Sequence, residues 1–430
     1  MRDHALAGGG VADKKVRKPA RASAPGSASC APDGADAQKT PGKRKRKRRR
    51  KHGRRVFVRG DRSTPQAEVL VPASNQAEPA QPASAPAVRE ARHRDDQRLY
   101  AALDLGTNNC RLLVATPTKP GRFRVVDAFS RIVRLGEGLS LAGELSDAAM
   151  DRAIEALGVC AQKLEGRKLA GLRLIATEAC RSAGNGDTFI KRVLSETGLK
   201  LEVISRETEA RLAVSGCSSL VTRETEGVVL FDIGGGSSEI ALIDTSRRRS
   251  PRLAEHIVSW TSLPVGVVSL AEKFGGHVVT PESFEEMVAH VAAMLDKFEG
   301  RDRLSHLGDP SRFHLLGTSG TVTTLAGVHL DLPRYDRRRV DGLWMDRESV
   351  DRMIVRLLSW DFDARKANPC IGAERADLVL AGCAILEAIR RQWPSERLRV
   401  ADRGLREGML NEMMARDGVW RRTKRNRSAA

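Results

Sequence analysis

An apolar run that ends in three consecutive glycines, Val228 to Ile240 (VVLFDIGGGSSEI), has a near-copy 128 positions earlier at Tyr100 to Arg111 (YAALDLGTNNCR). Each is a buried-strand pattern closed by Asp-x-Gly and followed by small polar residues. Glycines at such a bend let backbone N–H groups approach an anion with no Cβ in the way. Two such loops, one in each half of a chain, predict a protein that holds a phosphate from both sides. Gly106, Thr107 and Asn108 would serve on one side, with Gly234, Gly235, Gly236 and Ser237 on the other. The aspartates that close the two runs, Asp104 and Asp232, are placed to anchor a divalent metal or its waters.

The pattern around the two runs is α/β. Strands are predicted over Leu99–Asp104, Arg111–Ala115 and Phe123–Val133, followed by a helix over Ser146–Gly166. Ser146 can cap that helix, and Met150, Ile154, Leu157 and Leu164 share one face. Strand Leu172–Ala176, a helix over 187–195, strand Lys200–Ser205 and helix Glu207–Leu220 complete the first half. The pattern restarts with strands Gly227–Asp232 and Glu239–Asp244. Helix Pro281–Phe298, strand Phe313–Leu316, a helix from Thr321, helices Arg347–Ser359 and Ala376–Gln392, strand Leu398–Ala401 and helix Leu405–Arg416 follow. Two lobes around a cleft are expected, one over 99–222 and one over 223–416, dividing near Thr222–Gly227.

The formal net charge of +19 suggests a nucleic-acid binder until it is located. Residues 1–98 carry 24 Lys+Arg against 10 Asp+Glu, and residues 421–430 carry five basic residues and no acid. The 44 basic and 44 acidic residues that remain leave the folded part formally neutral, so the excess sits in the tails. Residues 1–98 are poor in apolar side chains and read as a disordered arm. Within it Lys43 to Lys51 is a run of nine cations, KRKRKRRRK. The residues allow a solvated, non-specific arm or a tether for a polyanion such as RNA, DNA, an acidic membrane or a phosphate polymer. No aromatics interleave the run, so base stacking is unsupported.

The seven cysteines, Cys30, Cys110, Cys160, Cys180, Cys217, Cys370 and Cys383, are dispersed and form no C-x-x-C pair. That usage predicts free thiols in a reducing cytosol. No apolar run approaches the roughly 18 residues of a membrane helix, and no apolar signal core precedes the basic run. A cytoplasmic protein without membrane contact is expected. Neither glycine loop fits the dinucleotide fingerprint, and there is no G-x-x-x-x-G-K-[ST], HExxH or CxxC site. A third turn, Gly317-Thr318-Ser319-Gly320-Thr321, links a short strand to a helix. It is either an anion site, with Gly317, Ser319 and Gly320 contributing, or a capped turn.

Nine segments together resemble one family: ALDLGTNNCRLLV, RLGEGL (134–139), ATEACRSAGNGDTF (176–189), ISRETEARL (204–212), LFDIGGGSSEIAL, SLPVGVVSL (262–270), LLGTSGTVTTLAG (315–327), RADLVLAGCAIL (375–386) and VADRGLREGML (400–410). In these the chain is similar to the exopolyphosphatase / guanosine-pentaphosphate phosphohydrolase (Ppx/GppA) family. The resemblance implies a two-lobed actin/Hsp70/sugar-kinase-like (ribonuclease H-like) fold. It implies release of the terminal phosphate of polyphosphate, or of the 5′ γ-phosphate of guanosine pentaphosphate, with Mg²⁺ or Mn²⁺. Glu209 falls at the family's catalytic base, with Glu207 the neighbouring alternative. Glu239 matches a second carboxylate that holds the metal or the water, and Asp104 and Asp232 would serve the metal. Arg181 matches a cleft arginine suited to a phosphate oxygen, with Asn185 supporting its loop. Asn109 stands where the family usually has Ser or Thr. The chain ends about 20 residues after GLREGML, which resembles the short members without extra C-terminal domains, and a homodimer is implied by resemblance alone. Other readings are a kinase or ATPase of the same superfamily, and an inactive factor that binds nucleic acid through its arm.

If the basic arm grips long polyphosphate, deleting residues 1–95 raises KM for the long polymer at low salt, and the difference shrinks as salt is added. Steady-state phosphate release by both proteins measures it, and equal KM values at low salt rule the tether out.

Overall fold

The computed structural model describes residues 98–250 and 252–420. The basic arm with Lys43–Lys51, Cys30 and the tail 421–430 lie outside the described residues.

Five strands form the first sheet: β1 (Leu99–Leu105), β2 (Asn109–Pro117), β3 (Phe123–Ile132), β4 (Leu169–Ala176) and β5 (Glu202–Val203), in the order β3-β2-β1-β4-β5. Six form the second: β6 (Gly227–Ile233), β7 (Ser238–Asp244), β8 (Ile257–Leu263), β9 (Phe313–Thr318), β10 (Trp344–Asp346) and β11 (Arg397–Val400), in the order β10-β11-β9-β6-β7-β8. In each sheet the first three strands run antiparallel and the next pairs parallel with the first of them. The repeated order, each copy opened by its own glycine loop, is the actin/Hsp70/sugar-kinase-like arrangement.

Ten of the thirteen helices among the described residues matter here: α1 (Asp147–Leu164), α2 (Glu178–Ser182), α3 (Gly186–Thr197), α4 (Arg206–Cys217), α5 (Val267–Phe274), α6 (Pro281–Leu295), α7 (Gly320–His329), α8 (Arg347–Leu358), α9 (Val379–Gln392) and α10 (Leu405–Arg416). The Ser146 hydroxyl accepts from Ala149 N–H at 3.3 Å to start α1, and Ser205 accepts from Thr208 N–H at 3.2 Å to start α4. Every residue of β6 is buried. Helices on both faces explain why this strand reads as a continuous apolar run rather than an alternation.

The core has three parts. One lies outside the first sheet, where α1 and α3 cover Leu103, Leu112 and Val114. Another lies outside the second sheet, under α6, α7, α8 and α9. The middle part joins the inner faces of both sheets, Ala102 and Leu113 on one side and Leu230 and Ala241 on the other, through α4 and α10. The sequence reading groups α10 with the second lobe, but it packs on α4 and β1. Glycines make that crossing possible. A Cβ on Gly216 would stand 2.1 Å from the Gly404 carbonyl oxygen, and one on Gly408 would stand 2.1 Å from that of Leu212.

Four of these elements escape the sequence reading, the three-residue strand β10 among them. Edge strand β8 exposes Val258 and Trp260, which blurs the alternation that marks a half-buried strand. Helix α2 has only five residues, and α5 only eight. The strand expected over Lys200–Ser205 shrinks to β5, and the last turn of the expected Glu207–Leu220 helix is a 3-10 turn over Ser218–Leu220. All six described cysteines are free thiols. Among the described residues no helix is long and apolar enough to cross a membrane.

Gly408→Val forces α4 and α10 apart, so it is expected to cost about 3 kcal/mol of stability. A fall in the urea midpoint at unchanged slope reads this out.

Candidate active site

The parallel strands of both sheets end at one cleft of about 590 Å³. Its walls are therefore the segments that follow β1, β4, β6, β9 and β11, which is where open α/β sheets place their ligands. The two glycine loops repeat one local geometry. Gly106 N–H donates to the Asn109 carbonyl at 2.9 Å, and Gly234 N–H donates to the Ser237 carbonyl at 2.9 Å. The amides of Thr107 and Asn108, and of Gly235, Gly236 and Ser237, have no hydrogen-bond partner among the described residues. The loops meet edge to edge: a Cβ on Gly236 would stand 2.9 Å from Thr107 Oγ1. The Asn108 and Asn109 side-chain oxygens are buried there without partners among the described residues.

Asp104, Glu209, Asp232 and Glu239 all line this cleft. Burial pushes the proton affinity of Asp104 up, against the pull of Arg111 and Arg406. Burial and the charges of Glu239 and Asp104 push Asp232 to about 7. Burial also raises Glu239, although the hydroxyls of Ser237 and Ser262 donate to its Oε1 at 2.7 and 2.9 Å. Glu209, on the first turn of α4, is raised well above the usual carboxylate range by burial and by Glu239, and Arg181 pulls it back. Four carboxylates with raised proton affinity around one cavity make an environment that welcomes a cation or a proton. Among the described residues no three His, Cys, Asp or Glu side chains converge into a complete metal cage. Mg²⁺ asks for no such cage, since it usually binds one or two carboxylates and fills its shell with waters and phosphate oxygens. Asp104 and Asp232 fit that requirement.

Glu207 is exposed on α4 and does not line the cleft, whereas Glu209 is buried in its wall. Arg181 does not reach the cleft as a phosphate ligand. Its Nη2 donates to Glu178 at 2.6 Å and to Glu209 at 3.0 Å, and its Nη1 donates to the Ile204 carbonyl at 2.5 Å. Two carboxylates and a carbonyl thus occupy the guanidinium, which orients Glu209. Asn185 supports its loop without capping α3: it exchanges two hydrogen bonds of 2.9 Å with the Leu145 backbone. Gly317 faces the core, where a Cβ would strike Phe231 and Val322 at 2.6 Å. Of the third turn, Ser319 and Gly320 line the cleft and Gly317 does not.

Sequence reasoning missed Glu178, Arg111, Arg375 and Arg406, which also line the cleft. Glu178 stays below the usual carboxylate range in spite of burial, because Arg206, Ser182 and Arg181 all donate to it. The guanidiniums of Arg111, Arg375 and Arg406 make no hydrogen bond or ion pair among the described residues. Their signal in the sequence is position, since Arg111 follows the first glycine loop and Arg406 lies in GLREGML.

Residues 114–417 match the model of the Ppx/GppA phosphatase family. The chain belongs to that family. A putative exopolyphosphatase of Haemophilus influenzae is 28% identical over 327 residues, which cover 75% of this chain and 94% of that protein. The crystal structure of the Aquifex aeolicus Ppx/GppA family member is 27% identical, covers 74% of this chain and 98% of its own, and superposes with a TM-score of 0.59. An exopolyphosphatase from Cytophaga hutchinsonii shares the fold, with a TM-score of 0.65 at 23% identity over 75% of this chain and 98% of that one. This chain is thus a phosphatase-family enzyme.

Arg181→Met removes the cation that favours ionised Glu209, so its proton affinity rises further. If Glu209 works ionised, the acid limb of the kcat/KM–pH profile for phosphate release then moves to higher pH than in the parent protein. A limb that stays put or moves down contradicts the role given to Arg181.

Proposed function

We propose that this chain hydrolyses the terminal phosphoanhydride of linear polyphosphate, with the 5′ γ-phosphate of guanosine pentaphosphate as the alternative substrate of the same site. The observation that carries the reading is Glu209, a buried carboxylate held by Arg181 in the wall of a cleft that two amide-rich glycine loops enter. The similarity to a putative exopolyphosphatase supports polyphosphate as the first substrate.

Such a hydrolysis needs neutralised phosphate charge and a positioned water. The amides of Thr107, Asn108 and Gly235 to Ser237 take the oxygens of the terminal phosphate. Arg111, Arg375 and Arg406 take the phosphates that follow it, a geometry that suits guanidinium donors. Glu209 accepts the proton of the attacking water, which its raised proton affinity favours near neutral pH. Glu239, fixed by Ser237 and Ser262, orients the same water. Asp104 and Asp232 would hold Mg²⁺ or Mn²⁺, which would supply charge neutralisation to the phosphate oxygens. No acceptor other than water and no covalent phosphoenzyme enters the scheme.

The test compares long polyphosphate, guanosine pentaphosphate and ATP as substrates in the presence of Mg²⁺. Glu209→Gln is expected to lower kcat by about 10²–10⁴-fold, the range of a lost general base. Turnover of ATP alone with transfer to an acceptor would favour the kinase reading. Phosphate release indifferent to Glu209 would remove the base from the mechanism.

A further inference from the structure

The loop between β3 and α1 carries RLGEGL, Arg134 to Leu139, which the site described above leaves without a role. It supports the first glycine loop from behind. The N–H groups of Val133 and Arg134 both donate to the Asn108 carbonyl, at 2.9 and 3.1 Å, and Gly136 N–H donates to the Thr107 carbonyl at 2.9 Å. Gly136 is pressed so close that a Cβ would fall 2.2 Å from Thr107 Cγ2. On its own side the loop is propped by Arg152 of α1, whose Nε donates to the Val133 carbonyl at 3.0 Å and Nη2 to the Arg134 carbonyl at 3.3 Å.

The same loop clasps the second lobe at two points. Arg134 Nη1 and Nη2 donate to the two carboxylate oxygens of Asp377 at 3.0 and 3.2 Å, and Nη2 also donates to the Glu374 carbonyl at 3.0 Å. Gly138 N–H donates to Glu272 Oε1 of α5 at 2.8 Å, and the Ser140 hydroxyl donates to the other oxygen of that carboxylate. Arg134 has φ of +47°, in the left-handed region that a residue with a Cβ rarely adopts. In that conformation its amide faces the glycine loop while its side chain leaves for the other lobe. A non-glycine residue persists there only where its surroundings over-determine it, and here contacts on both lobes do so.

We infer that Arg134 is a positioning residue, which ties the placement of the Thr107–Asn108 phosphate loop to closure of the second lobe through its paired bonds to Asp377. The inference rests on the reaction assigned above, because it is the hydrolysed phosphate that this loop is placed to hold. Asp377 and Glu374 flank Arg375, which faces the cleft. A phosphate chain drawn toward Arg375 therefore lies beside the clamp. Parting the lobes to admit or release the chain breaks the clamp and slackens the glycine loop in one movement. Phosphate is gripped tightly only when the cleft is shut.

The test uses the full chain with Asp377→Ala, Arg134→Ala, Arg134→Lys and the Arg134→Ala/Asp377→Ala double variant. Hydrogen exchange is followed in peptides spanning 103–112 and 133–140, and steady-state release is measured on long polyphosphate. Asp377 lies outside both peptides and bonds only the second, through Arg134, yet Asp377→Ala is expected to speed exchange in both by about fivefold. KM is expected to rise about tenfold with kcat nearly unchanged. The double variant should be no worse than Arg134→Ala alone, and Arg134→Lys should fall between Arg134→Ala and the parent. Unchanged exchange in 103–112, or additive losses in the double variant, overturns the inference. If Asp377→Ala does not fold, Glu272→Gln at the second clasp is judged by the same exchange criterion. Faster exchange in a protein that releases phosphate from no substrate keeps the coupling between lobes and discards the reaction.

Discussion

The close crossing of α4 and α10 between the two sheets governs the rest of the molecule. Gly216 and Gly408 bring one helix against the backbone of the other, and Gly404 and Leu212 supply the carbonyls that any side chain would strike. The crossing sets the spacing of the two inner sheet faces, which share a single core with both helices. It also sets the chemistry, because each helix presents its first turn to the cleft. Glu209 comes from the start of α4, and Arg406 and Glu407 come from the start of α10. A wider crossing would separate a carboxylate from a cation that the site needs together.

Electrostatics then divides the cleft into two kinds of group. Asp104, Asp232, Glu239 and Glu209 have raised proton affinity, chiefly through burial, even though Ser237 and Ser262 donate to Glu239 and Arg181 donates to Glu209. Glu178 is the opposite case: Arg181, Arg206 and Ser182 saturate it, and it stays low. Arg181 connects the two classes by donating to both Glu178 and Glu209. This sharing keeps Glu209 oriented without satisfying it, as the proton acceptor proposed above requires. The unpaired guanidiniums of Arg111, Arg375 and Arg406 complete the contrast, since they are free to meet an anion that the carboxylates alone would repel.

Much of this was legible in the sequence where the physics is local. The glycine loops declare themselves because strand, bend and small polar residues are contiguous, and the duplicated fold follows from the duplicated loops. Glu209 was reached only through the resemblance of ETEAR to the family, since Glu207 in the same first turn carries the same local signal. The pairing of Arg181 was not legible because two of its three partners, Ile204 and Glu209, lie outside its own helix. Only the parallel pairing of β4 with β1 and β5 brings the β4–α2 turn beside α4. Gly317 was misread because a glycine before a turn looks the same whether a phosphate or a Phe231 ring needs the space. The cleft arginines were missed because nothing local distinguishes an unpaired arginine from a paired one. Edge strand β8 escaped because Val258 and Trp260 face outward, against the alternation that a half-buried strand normally shows.

The RLGEGL loop joins these threads. A glycine loop that offers bare amides cannot hold its own shape, because the groups that would brace it are reserved for the ligand. Its carbonyls are the remaining handles, and Val133, Arg134 and Gly136 take those of Thr107 and Asn108. On the second sheet the corresponding bracing comes from the start of α5, where Val267 and Val268 N–H groups donate to the Gly234 and Gly235 carbonyls at 2.9 Å. Both glycine loops are therefore held by their carbonyls and left open at their amides. The braces themselves are joined where Glu272 of α5 accepts from Gly138 and Ser140. The duplicated loops thus act as one assembly, and the contact between their braces makes the grip on an anion depend on how the lobes stand to each other.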